Sequence, residues 1–384
     1  MKSRGVPDFL LLLLTALLVG FGITMVLSAS SIYALTSFTG YGCDVCKGDE
    51  LYFVKKQLMW AGIGLIGMLV AMNIPFSFYK RHFLMIAFLS FVSLLLVLMI
   101  GPKINGARSW IMLGPASIQP SEFAKLGLIL YLAAIISKKG EAFRNFKKGL
   151  IPPLVVTGLF FLLIMAQPDL GSAAILLGIA GIMMICGGAR IFHLFMLTVP
   201  VFCLFFLLYV LFHPHALSRI LSYLNPWEDP RGINYHLIQS LYAFAHGGLS
   251  GAGYGKSIQK YLYLPEAHTD FIFSIIAEEL GLIGTIVFLL VYLMYLLRGI
   301  FICLRCKDTF ASLVGIGTVT MIGFQALINI GGVTGTIPLT GVPLPFISYG
   351  GSSLMVSLIG TGILLSVSRE VSKQKAMEQL QQSG

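Results

Sequence analysis

Apolar residues run in long blocks along this chain, and polar residues gather in the gaps between them. Phe9 to Ser28 is almost unbroken apolar sequence, and such blocks fall at 9–30, 53–73, 83–101, 119–137, 150–166, 169–187, 191–213, 270–298, 309–331 and 346–368. A membrane helix needs roughly 20 mostly apolar residues. The pattern therefore predicts an all-α, polytopic integral membrane protein with about ten transmembrane helices. The first block is too long for the apolar core of a signal peptide and leads into more membrane sequence, so it reads as a retained span. Between 150–166 and 169–187 stand only Gln167 and Pro168 before Asp169. Proline ends one helix and opens the next, which predicts a tight turn that brings Asp169 to the membrane surface.

Composition agrees with this reading. Hydrophobic residues make up 57% of the 384 positions and charged residues 11%, against about 25% charged in soluble domains. A soluble fold has no surface for so much hydrocarbon, whereas lipid accepts it.

The net charge of +10 raises the question of nucleic acid, and its placement answers it. Basic residues cluster in alternate gaps: Lys2 and Arg4; Lys80 and Arg81; Lys138 to Lys148; Arg190; Arg298 to Lys307; Arg369 to Lys375. By the positive-inside rule these gaps are cytoplasmic. Both termini then lie in the cytoplasm, the number of spans is even, and no nucleic-acid partner is needed. The outside segments become 31–52, 102–118, 167–169, 214–269 and 332–345. The stretch 214–269, before span eight, is the long extracytoplasmic loop. Its Trp227, its tyrosines and its glycines between Gly247 and Gly255 predict an ordered loop with short interfacial helices. Residues 1–370 read as a single transmembrane domain and 371–384 as a short cytoplasmic tail, helical or disordered.

Cysteines add little. Cys43 and Cys46 fall outside and are spaced for a small disulfide in an oxidising exterior; Cys303 and Cys306 fall inside. The two pairs lie on opposite sides of the membrane, which excludes a shared zinc site.

Some charges are not explained by topology. Glu122 and Lys125, three residues apart on one helix face, either neutralise each other or serve a site. Asp270 ends the run Glu266-Ala267-His268-Thr269 just where the apolar span begins. Thr269 or Asp270 would serve as a helix N-cap. A carboxylate at that boundary is also partly desolvated, which moves its pKa toward a useful range for a base. Glu278 lies about two turns deeper and requires a partner. Arg108, beside Trp110 on an outside segment, suits capture of phosphate. The stretch from Thr334 to Ser353 holds prolines and glycines that cannot make a plain helix, so it is expected to line a cavity as a broken or re-entrant segment. Neither a phosphate-binding GxxxxGKS loop nor a nucleophile elbow is present.

At Asn105 to Ile111, Gln119-Pro120-Ser121-Glu122, Gln167 to Gly171, Asn225 to Pro230, Tyr263 to Phe273 and Pro343 to Ser353, the chain resembles the shape, elongation, division and sporulation family of peptidoglycan polymerases. The likeness spans Ser28 to Arg369. Asn225 to Pro230 and the short termini are similar to the division and sporulation branch. The resemblance implies a processive glycosyltransferase that acts on lipid II on the outer membrane face. It implies a class B penicillin-binding protein as partner, within a machinery of division or sporulation proteins. It places the family's essential acid on Asp270 and an important tryptophan on Trp110. Some relatives carry a lysine before the glycine of the last proline-rich loop; Thr340 stands there in this chain, so no such role transfers.

The resulting expectation has Asp270 as the catalytic base. Arg108, Lys125, Arg219 and Lys256 are the cations for the pyrophosphate leaving group. Trp110, Glu122, Asp169, Glu266, His268, Thr269, Glu278 and Ser352 complete the substrate-binding set. The sequence shows no dedicated metal site, although a divalent cation is compatible with this chemistry. Two alternatives use the same features: a flippase that moves lipid II without bond chemistry, and a non-catalytic scaffold for a transpeptidase.

Overall fold

The computed structural model describes residues 5–36, 46, 48–103, 107–114, 116–196, 199–200, 223, 225–230, 232 and 234–382. The described helices are α1 (Phe9–Leu35), α2 (Tyr52–Asn73), α3 (Phe76–Ile100), α4 (Pro120–Lys139), α5 (Ile151–Met165), α6 (Leu170–Cys186), α7 (Tyr235–Gly247), α8 (Ile272–Leu304), α9 (Thr309–Val333) and α10 (Gly351–Gln382). Among the described residues, eight helical segments are long and apolar enough to cross a membrane; α6 is apolar but shorter. The chain is a polytopic α-helical membrane protein. Most of the predicted span 191–213, and the loop through 222, lie outside the described residues.

Local chemistry sets most helix ends. Asp8, Asp169 and Asp308 accept from the main-chain N–H three residues on, capping α1, α6 and α9. Ile74 is extended ahead of Pro75, which separates α2 from α3. α3 therefore starts at Phe76, a full turn before Lys80, and not at 83. Hydropathy placed the boundary where the basic residues end, whereas the proline sets where the helix begins. Likewise α10 begins at Gly351 rather than 346, and it runs on through the polar positions after Arg369 without a break. A short antiparallel hairpin, β1 (Ile111–Leu113) with β2 (Ala116–Ile118), precedes α4; it was not predicted.

α4 is buried along nearly its whole length. It packs against α3, α6, α9 and α10. α10 also lies along α2, where a Cβ on Gly64 would come within 2.6 Å of Leu358 and one on Gly362 within 2.3 Å of the Met68 carbonyl. Only glycine permits that approach. Outward positions of α2 and α3, such as Ile66 and Phe88, are exposed apolar side chains, as lipid-facing surfaces require. At one end of the bundle Arg298 holds Asp8 at 2.6 Å and Arg369 donates to the Gly5 carbonyl at 3.0 Å. That ties the start of α1 to the ends of α8 and α10.

At the opposite end α8 is interrupted. Gly281 has φ 66° and ψ −171°, and the main-chain groups freed there pair with the preceding loop. Ala252 and Gly253 donate to the carbonyls of Glu278 and Glu279 at 2.9 and 3.0 Å. Leu282 and Ile283 donate to Gly248 and Leu249 at 2.9 and 3.2 Å. A Cβ on Gly281 would sit 2.2 Å from the Gly251 nitrogen, so the seam requires glycine on the helix side. The glycine-rich loop thus completes the broken turn, which lets irregular backbone persist in a membrane bundle.

Candidate functional site

The residues before α8 form a series of turns, and Asp270 lies in the last of them. Phe271 occupies the N-cap position of α8, and no side chain caps it. Thr269 donates instead to the Glu266 carbonyl at 3.1 Å and to its carboxylate at 2.9 Å. The capping explanation for Thr269 and Asp270 is therefore set aside. The Asp270 carboxylate accepts no hydrogen bond among the described residues and faces a cavity of about 400 Å³. Tyr223, His236, Glu266, Asn329 and the stretch 338–342 line the rest of it.

Three elements set this geometry. α9 supplies Asn329, whose Nδ2 donates to the carbonyls of Asp270 and Val342, both at 2.7 Å. The proline-rich stretch is irregular as far as Gly350, as its composition predicted, and its polar backbone is met by side chains: Gln325 donates to Pro343 O at 3.3 Å and Gln57 to Ser348 O at 3.1 Å. α6 brings Asp169 to the same region. The backbone here is strained, with Leu262, Glu266 and Phe346 at φ 67°, 53° and 68°; such residues persist only where their surroundings fix them.

Burial raises the Asp270 carboxyl to about 7, and the neighbouring Glu266 and Asp169 carboxylates push in the same direction. Burial lowers His236, and it lowers His268 to about 4, so both imidazoles are neutral near pH 7. A partly protonated carboxyl beside a polar cavity is suited to exchanging a proton with a bound hydroxyl.

Of the residues expected at the site, Glu266, Asp270 and, through its charge, Asp169 come together. The others serve different surroundings. His268 is buried in an aromatic cluster, with ring centroids 4.3 Å from Phe53, 5.3 Å from Tyr33 and 5.7 Å from Tyr349. Glu278 is buried and accepts from Ser257, from Ile258 N at 2.8 Å and from His246, which docks the loop on α8. Lys125 and Glu122 pair with each other at 2.7 Å. Ser352 accepts from Gln119 N at 3.0 Å and so holds the end of the hairpin. Arg108 donates to Leu98 O at 3.1 Å, bracing the last turn of α3. Trp110 is half-buried beside it, Lys256 is exposed on the loop, and Arg219 lies outside the described residues. Cys46 is disulfide-bonded; Cys43 lies outside the described residues. Among the described residues no three His, Cys, Asp or Glu side chains are grouped to hold a metal ion.

Asn329, Gln325 and His236 were not anticipated. The available signal was a pair of amides four residues apart in an otherwise apolar span, which a search for charges passes over.

A family described as cell cycle protein FtsW/RodA/SpoVE matches residues 8–373. Stage V sporulation protein E of Bacillus subtilis is 46% identical over 365 residues, covering 94% of this chain and 97% of that protein. A probable peptidoglycan glycosyltransferase FtsW of Trichlorobacter lovleyi is 42% identical, covering 94% and 93%. Among solved structures, a chain described under the coordination of polymerization and crosslinking by a peptidoglycan synthase complex matches with a TM-score of 0.76 at 30% identity, covering 95% of this chain and 98% of that one. The crystal structure of Thermus thermophilus rod shape determining protein RodA matches with a TM-score of 0.68 at 29% identity, covering 95% and 97%. With its helices, its proline-rich stretch and its buried carboxyl arranged over nearly the full length of these relatives, the chain belongs to the FtsW/RodA/SpoVE family.

Proposed function

We propose that this protein is a peptidoglycan glycosyltransferase that polymerises lipid II, with Asp270 as its general base. The observation that carries the assignment of Asp270 is its carboxyl on the wall of a cavity of about 400 Å³, where it caps no helix and has no hydrogen-bond partner among the described residues. In the reaction, the 4-hydroxyl of an acceptor sugar attacks the anomeric carbon of a donor joined to undecaprenyl pyrophosphate. The new C–O bond forms as the bond to pyrophosphate breaks, and the hydroxyl proton passes to Asp270. The cavity lies at the end of the bundle opposite the pairing of Asp8 with Arg298, which supports an extracytoplasmic site when both termini are cytoplasmic. A class B penicillin-binding protein is the expected partner, and lipid II the expected substrate.

The test is purified protein with labelled lipid II in liposomes. Glycan polymer supports the enzyme. Transbilayer movement without polymer would identify a flippase, and neither activity would leave a scaffold. The carboxyl on the cavity wall favours the enzyme, because glycosyl transfer needs a group that takes the proton of the attacking hydroxyl.

A further inference from the structure

Two amide side chains stand one turn apart on α9, and both reach the proline-rich stretch. Gln325 has its polar atoms engaged: Oε1 accepts from Lys125 Nζ at 3.1 Å, and Nε2 donates to Pro343 O at 3.3 Å and to Ser353 Oγ at 3.0 Å. Asn329 differs. Its Nδ2 donates to Asp270 O and Val342 O, each at 2.7 Å. Both neighbours are carbonyl oxygens, so the nitrogen must face them and the amide cannot be flipped. Its Oδ1 is then buried with no donor among the described residues, on a side chain that is 3% exposed. A buried acceptor without a donor is destabilising. Stability alone therefore does not account for the amide, whereas the two carbonyls it joins do. One belongs to Asp270. The other adjoins Gly341, where an added Cβ would lie 3.4 Å from Asp270 Oδ2.

We propose that Asn329 is a positioning residue for glycosyl transfer, clamping the main chain of Asp270 to the proline-rich stretch and so fixing where its carboxylate stands in the cavity. This rests on the reading of Asp270 as the base. The clamp joins elements far apart in sequence, the entry to α8 and the loop before α10, through α9. Small displacements of a reacting group carry large rate penalties, so the clamp acts on turnover rather than on affinity. Among the described residues, Glu266 on the turn before it, Asp169 at the start of α6, His236 on α7 and Tyr223 on the cavity wall are the titratable groups around Asp270; none of them is held by Asn329.

The experiment uses the full-length protein with lipid II and four variants: Asn329→Ala, Asn329→Asp, Asp270→Asn and the double variant Asp270→Asn/Asn329→Ala. Asn329→Ala is expected to lower kcat about tenfold or more with KM within about twofold. In the Asp270→Asn background it is expected to cause no further loss, because residues that act through one group are not additive. Asn329→Asp keeps the size, removes the donor and sets another carboxyl beside Asp270, so the acid limb of the pH–rate profile moves to higher pH. A wild-type kcat for Asn329→Ala overturns the inference. So does a loss confined to KM, or a full additional loss in the double variant. If the alanine variant fails to fold, the pH profile of Asn329→Asp decides, and an unmoved acid limb overturns the proposal. A wild-type rate for Asp270→Asn has a different meaning: it removes the base assignment itself.

Discussion

Lys125 and Glu122 form an ion pair of 2.7 Å on α4, with residue exposures of 0% and 2%. They lie three positions apart on a helix that is buried on nearly all sides. Lys125 also donates to Gln325, so the pair supports the amide that holds Pro343. Removing one partner strands a buried charge, at a cost of about 3–5 kcal/mol, whereas replacing both is far milder. Lys125→Met is therefore expected to lower the thermal midpoint in detergent strongly, and Glu122→Gln/Lys125→Met to recover most of that loss. A double variant no more stable than the single would show that the two charges act separately.

Asp270→Asn keeps the side-chain size and removes the base. Because Asp270 caps nothing, the folded yield should stay normal while single-turnover polymerisation of lipid II falls about a hundredfold or more, the usual scale for acid–base catalysis. Glu228→Gln, on the same long loop, is the control and should be mild. Wild-type turnover by Asp270→Asn would send the search for the base to Asp169 and Glu266.

The raised pKa of Asp270 fixes a pH dependence. The base acts ionised, so kcat/KM should rise with pH through about 7 and level off above it. Stability carries the opposite sign. The unfolded carboxyl ionises near the ordinary aspartate value of 3.8, while the folded one holds its proton to about 7. Its contribution to folding is therefore greatest below about 4 and is lost as pH climbs to about 7. Asp270→Asn should remove both slopes; a profile that keeps its acid limb in that variant assigns the limb to another group.

Arg108 braces the end of α3 through Leu98 O, while Lys80 lies over the Phe310 ring at 5.9 Å on the same helix's first turns. Arg108→Ala should lower polymerisation about tenfold, equivalent to about 1.4 kcal/mol in the barrier, and Lys80→Ala should change it little at equal membrane abundance. Equal activities would show that the brace on α3 has no bearing on turnover.

Sidedness is open to direct labelling. Lys256 is exposed on the loop that docks on α8, so a Lys256→Cys side chain in a background lacking other reactive thiols should react with an impermeant maleimide in intact cells. Reaction only after permeabilisation would invert the proposed topology and remove the extracytoplasmic site with it.

Hydropathy was a sufficient guide where a helix is simply long and apolar, as α1 and α9 are. It failed where one residue's backbone decides. Pro75 starts α3 ahead of its charges, and Gly281 breaks α8 inside a run that reads as uninterrupted. That break is legible only with its complement, residues 248–253, in view. Asp270 stood out because polar sequence stops there, yet cap and base remained equivalent until the start of α8 was seen to be uncapped. Glu278 stood out as a carboxylate within an apolar span that required a partner, and it proved to be an anchor for the loop. Asn329 carries no charge and sits among apolar residues, so nothing but its two carbonyl partners distinguishes it from an ordinary amide in a span.

The seam between residues 248–253 and the interrupted turn of α8 bears on the cavity indirectly, through the helix that follows Asp270. Peeling that loop away would strip main-chain partners from both sides at once, and it would pull on the adjoining residues 257–260, which meet the Glu278 and Glu279 carboxylates. The loop therefore behaves as a rigid brace on the first turns of α8. The cavity wall itself is shared by α7 and the proline-rich stretch, where Tyr223 donates to Thr336 O at 2.6 Å. Adjustment to an occupant then falls to the side chains that line the cavity, while the main chain entering α8 stays where the brace holds it.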